Sequence, residues 1–181
     1  IGGASAGAEL LETAADECDE AMALLAGSIA AAANRLKFYR CALGHGNPPG
    51  ASRALRDLVA GLIDQSSTAG QVSLDWQADS APYDAGTARL LLNMVLLGRD
   101  ALPRGGMLTV AGPSPLAVIA RGLAARLAEQ AALEAEGLDD LSPKGAQAAY
   151  AQRLARGLGL RLRVETGPEE VRLLAERMSG S

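Results

Sequence analysis

The chain has 181 residues, enough for one large domain or two small ones, with 49% hydrophobic and 21% charged residues. A formal net charge of −4 and only five aromatics (Phe38, Tyr39, Trp76, Tyr83, Tyr150) exclude a dedicated nucleic-acid binder. One histidine, His45, and two cysteines, Cys18 and Cys41, exclude zinc fingers and disulfide frameworks, so no metal site is expected. The longest nearly apolar run, residues 21–33, is shorter than the roughly 20 residues of a membrane span, and no signal peptide is visible. A cytoplasmic protein without a membrane partner is expected.

The first segment, residues 3–39, has no proline and is crowded with helix formers. Met22, Leu25, Ile29, Ala32, Leu36, Tyr39 and Leu43 recur at alternating spacings of three and four, the seam of a helical bundle. Ala4, Ala8, Leu11 and Ala15 form a weaker small-residue stripe. The acidic stretch Ala15-Asp16-Glu17-Cys18-Asp19-Glu20 predicts a turn, with Asp19 and Glu20 opening a second helix where they suit its dipole. Residues 1–44 therefore read as an antiparallel helical hairpin. Two such helices cannot bury a seam alone, which predicts a homodimer with a four-helix bundle.

Residues 45–50 read as a linker, in a run of breakers from Gly44 to Gly50, and residues 51–181 as a second domain. Ser52 is expected to cap a helix with Leu55, Leu58, Val59, Leu62 and Ile63 inward. Val72, Leu74 and Trp76 alternate as a strand, and Asp84 caps a longer helix over residues 85–101. Two β-type runs come next, Met107–Val110 and Leu116–Ala120, then a weak helix within residues 128–136. Ser142-Pro143 opens a helix that stops at Gly157, and the chain closes with Leu160–Val164 and Val171–Glu176. The fold class is α+β, with a two-layer α/β sandwich after the hairpin.

Few residues carry obvious chemistry. His45 lies between glycines and reads as a solvated loop residue, and Cys41 as an outward helix position. Gly157-Leu158-Gly159 comes after a helix and precedes a strand, so it reads as a C-cap rather than a phosphate loop. Asn93, in an otherwise apolar helix, reads either as solvent-facing or as the remnant of a site.

The stretch Ala88–Gly106, which contains Asn93, Leu97 and Gly105-Gly106, resembles the N-box helix and subsequent strand entry of histidine-kinase ATPase domains. With the preceding hairpin, Arg35–Arg40 and the helix from Ser142 to Leu158, the chain resembles the ChpT-type bacterial histidine phosphotransferases. The resemblance implies a homodimer that relays a phosphoryl group between the receiver domains of a hybrid histidine kinase and of response regulators. Asn93 matches the first N-box asparagine. The second, which holds the Mg²⁺ of ATP, falls on Leu97, and no Asp-x-Gly box comes after Gly105, so no ATP or other cofactor is expected. Asn93 and Leu97 then form a vestigial nucleotide site.

Ile1-Gly2-Gly3-Ala4 resembles the segment just after the proline of the family's His-Asp/Glu-x-x-x-Pro motif. The resemblance places the phosphoacceptor about one and a half helical turns upstream of Ile1. In a folded hairpin the end of the second helix lies beside it, where Asn34, Lys37, Phe38 and Cys41 leave the seam and are candidates for docking a receiver. Phe38 either anchors the partner or packs against the second domain. Ser5, Glu9 and Glu12 are the polar residues of the first helix that a partner can read. The dimer face comprises Met22, Leu25, Ile29, Ala32 and Leu36. A non-catalytic adaptor that binds receivers is the alternative function; an active kinase is a third, against which Leu97 argues.

Overall fold

The computed structural model describes residues 2–44, 46–63, 70–78, 82–112, 115–127 and 143–178; in the first helix, side chains are described from Cys18 onward. The elements run α1 (Gly2–Ala42), α2 (Ser52–Ile63), β1 (Val72–Trp76), α3 (Ala85–Asp100), β2 (Gly106–Ala111), β3 (Leu116–Arg121), α4 (Pro143–Gly157), β4 (Leu160–Gly167) and β5 (Glu170–Arg177). The fold is α+β, as expected.

One sheet of five strands has the order β1-β2-β3-β5-β4. β1 runs parallel to β2, with α3 as the crossover, and the remaining pairs are antiparallel. Strand alternation sends Leu108, Val110, Val118, Ala120, Leu162, Val171 and Leu173 into one core. The helices cover that face. α3 supplies the centre, with residues 90–98 buried without a break. A Cβ at Gly98 would stand 2.8 Å from both Leu108 Cδ1 and Val118 Cγ1, so this glycine lets α3 lie close on β2 and β3. β1 and β4 are the two sheet edges.

The predicted stripe of α2 is buried in full, from Leu55 to Ile63. Ser52 opens this helix, and its hydroxyl accepts a hydrogen bond from Trp76 Nε1 at 3.0 Å, tying α2 to the end of β1. The expected weak helix at 128–136 and the cap at Ser142 lie outside the described residues.

The hairpin needs correction. α1 continues unbroken through Ala15–Glu20, so the turn predicted there is absent and residues 2–42 form one helix. The physical reason is that this stretch contains no Gly, Pro or Asn. Acidic residues beside a cysteine and alanines continue a helix as readily as they start one. Gly44, at φ +94, is where the helix ends. An antiparallel helical pair does exist, but one element later: α2 turns back along the last turns of α1, with Asn34 against Gly61 and Cys41 near Ala54.

Asp84 is the N-cap of α3. Its Oδ1 accepts from the backbone N–H of Gly86 and of Thr87, both at 2.9 Å, and its Oδ2 from the Thr87 hydroxyl at 2.5 Å. The Thr87 side chain, then its backbone N–H, holds the Asp84 carboxyl below its ordinary value of 3.8. A depressed carboxylate stabilises the fold fully above that ordinary value, and its contribution is lost as pH falls through the lower one. Asp84→Ala should destabilise the protein by about 1 kcal/mol. In denaturant titrations, the gap between variant and parent should close as the solution is acidified below the ordinary carboxylate range.

Candidate docking groove and helix clamp

Near the end of α1, three of the predicted docking residues converge. Asn34, Lys37 and Cys41 line a groove of about 410 Å³, closed on the other side by Ala54, Asp57 and Leu58 of α2 and at its end by Asn47 and Pro49. Asn34 and Lys37 are exposed. Cys41, expected to face outward, is instead buried, with its thiol directed at the Asn47 carbonyl at 3.7 Å. Asp57 pairs with Arg56 at 3.3 Å, an exposed contact of small energetic value. The groove thus offers one ammonium, one carboxylate and two amides over an apolar floor.

Phe38 does not join this surface. It is fully buried, in the same core as Leu55, Val59 and Leu91, and its ring meets Tyr39 edge-on at 5.9 Å. Of the two roles open to Phe38, the packing one is correct, because positions 38, 41 and 42 form the face of α1 that turns to the body. The seam residues lie on other faces: Met22, Leu25, Ile29 and Leu36 are each about 60% exposed or more, and Ala32 is exposed too.

Ser5, Glu9 and Glu12 share a stripe of α1 by spacing, but their side chains lie outside the described residues. With α1 unbroken, Ser5 and Asn34 are separated by about 40 Å of helix. One chain therefore does not bring these two groups together. His45 also lies outside the described residues. Among the described residues, no cluster of His, Cys, Asp or Glu is arranged to hold a metal, and no helix is long and apolar enough to cross a membrane.

Asn93 is neither solvent-facing nor idle. It is fully buried at the meeting point of three helices. Its Nδ2 donates to the Ala42 carbonyl of α1 at 2.9 Å and to Arg89 O at 2.8 Å, and its Oδ1 accepts from Gln147 Nε2 of α4 at 2.6 Å. Both carbonyls can only accept, which fixes the orientation of the amide. One turn earlier, Arg89 Nε donates to the Cys41 carbonyl at 3.3 Å and its Nη2 to Gly46 O at 3.1 Å. Leaving such a buried carbonyl without its donor costs about 1–3 kcal/mol. Leu97, one turn on from Asn93, is buried in the apolar core. No composition or spacing signal marked Arg89 or Gln147 as partners, since their acceptors are distant in sequence.

The sequence model of the family described as "Histidine phosphotransferase C-terminal domain" matches residues 56–170. The chain belongs to this family. It is 34% identical over 111 residues to a protein phosphotransferase ChpT of Brucella abortus (strain 2308), a match over 61% of this chain and 52% of the relative. It thus spans about half the length of that curated relative. A solved bacterial phosphotransferase superimposes with a TM-score of 0.71 at 24% identity, over 87% of this chain and 79% of its own. The Acinetobacter baumannii histidine kinase AdeS superimposes at 0.50 and 11%, over 82% and 77%. These two, a phosphotransferase and a histidine kinase, share the fold of this chain.

Burial separates the two residues at the heart of the expected docking surface. Phe38→Ala should lower stability by about 3–5 kcal/mol, the cost of a cavity in a packed core. Lys37→Ala should leave the melting temperature within about a degree of the parent, as befits an exposed side chain. Thermal melts of the two variants side by side check the assignment.

Proposed function

We propose that this chain is the receiver-facing, dimeric part of a cytoplasmic phosphorelay histidine phosphotransferase. Residues 1–44 serve dimerisation and phosphotransfer, residues 45–50 link, and residues 51–181 form a degenerate ATPase-like body. Family membership supports the general chemistry. The observation that carries the finer reading is the groove of Asn34, Lys37 and Cys41, set beside an apolar helix face that none of the described residues covers.

In this reading the acceptor is a histidine upstream of Ile1. Its neutral imidazole nitrogen attacks the phosphorus of an aspartyl phosphate. The N–P bond forms as the P–O bond breaks, and the carboxylate leaves as an anion. A carboxylate of a second receiver then attacks the phosphohistidine and releases the imidazole. The receivers supply the Mg²⁺ and most of the charge stabilisation, so this chain contributes position and a docking face. The partners are a second copy of the chain and receiver domains of hybrid kinases and response regulators. Where α1 runs straight, a partner chain's helix is the means by which Ser5, Glu9 and Glu12 approach a groove.

The full-length protein, with its upstream residues, should pass phosphate from a phosphorylated receiver to a second one, and replacing the upstream histidine with alanine should abolish this. Receiver binding that survives with no transfer in the parent protein supports the adaptor reading instead. Leu25→Glu with Ile29→Glu should convert dimers to monomers in sedimentation at micromolar concentration and slow transfer by about tenfold or more. A parent protein that is already monomeric there overturns the dimer.

The body is proposed to bind no ATP. Asn93 has both amide atoms engaged by protein partners, and Leu97 offers no oxygen to a hard cation. Calorimetry with Mg-ATP should give no saturable binding tighter than about 1 mM, near −4 kcal/mol. Tighter binding returns the chain to the kinases.

A further inference from the structure

Asn93, which matches the first asparagine of the resembled N-box, is turned here toward the end of α1. That orientation decides what the helix α3 does. The last four carbonyls of any α-helix have no partner within it. In α1, the Tyr39 carbonyl is met by Leu43 N and the Arg40 carbonyl by Gly46 N, both local. The remaining two, of Cys41 and Ala42, are met from the body by Arg89 and Asn93. Gln147 holds the Asn93 amide from a third helix, so the donor cannot rotate away without losing its own partner. A guanidinium at a helix C-terminus is also favoured by the helix dipole. Two donors one turn apart on α3, aimed at successive carbonyls of α1, fix direction as well as distance. A single contact would act as a pivot, whereas two side by side resist rotation.

We propose that Arg89 and Asn93, braced by Gln147, lock the angle between the α1 arm and the body, and that they are thereby positioning residues for phosphoryl transfer. The proposal rests on the phosphotransferase reading for its second half only. A relay gains from presenting arm and body to the incoming receiver at one fixed angle. The meeting point of α1, α3 and α4 is then a joint that does not bend. Transfer is sensitive to this because in-line attack tolerates only small misplacement of the reacting atoms.

The test measures geometry and rate separately. Spin labels go on the exposed Cys18 of the arm and on Arg161→Cys of the body, in a Cys41→Ala background diluted with unlabelled chain. The parent should give one narrow distance distribution. Arg89→Met, which keeps the apolar stem of a partly exposed side chain, should broaden it, and Asn93→Leu should broaden it further. In the unlabelled full-length protein, Arg89→Met should slow receiver-to-receiver transfer by about tenfold while the protein stays folded at the assay temperature. Arg89→Lys keeps the charge and one donor and should restore part of both properties. A narrow distribution in Arg89→Met overturns the lock, and so does a broad one in the parent. Broadening without slower transfer overturns the positioning role. If the parent protein transfers no phosphate at all, the functional reading fails and the positioning role with it, while the distance distributions still decide whether the lock exists.

Discussion

Helix α1 ends against the body, and the need of its last carbonyls for donors organises much of the molecule. Gly44 terminates the helix in a conformation that side chains resist, at φ +94, and the chain then doubles back into α2. The doubling back places Phe38, Cys41 and Ala42 over Leu55, Leu58 and α3. α2 in turn is tied through Ser52 to Trp76 and hence to the first strand. Arm, second helix and sheet are thus linked in sequence, the first two by apolar packing and the last two by the hydrogen bond from Trp76 to Ser52. Removing the donors from α3 would leave the arm held to that helix by packing, which keeps surfaces together but directs them poorly.

The body was largely legible in the sequence. Its strands alternate cleanly, the stripe of α2 is spaced for one buried face, and Asp84 announces the start of α3 by a side chain that reaches its own first turn. The arm was harder to read. An acidic stretch such as residues 15–20 is compatible with the end of one helix, the start of another, or neither, and only a breaker residue separates the cases. Phe38 was ambiguous for a related reason. On an alanine-rich helix many faces look alike, and the face that turns inward is chosen by residues some 20 to 50 positions later. Asn93 carried a real signal, a polar residue in an apolar run, but its partners on α1 and α4 become neighbours only once the helices are packed.

A polar side chain in an apolar helix costs free energy unless its partners are built in around it. Around α3 they are. Leu97 lies in the core, and Asn93 is satisfied on both sides of its amide. Both residues thus have an internal role in the body, and replacing either one perturbs packing or hydrogen bonding.

The sheet ends in two edge strands, β1 and β4, and both discourage strand addition. β1 is only five residues long and carries Ser73 and Asp75 between its inward side chains. β4 is longer, but it alternates Arg161, Arg163 and Glu165 with its apolar residues, and Arg163 pairs with Glu165 at 3.2 Å along the same rim. Short or charged borders of this kind are poor templates for edge-to-edge pairing and for the aggregation it seeds. Copies of this chain are therefore steered away from meeting through their sheets. The apolar side chains exposed along α1 therefore belong to a protein whose β-structure is unreceptive to strand pairing.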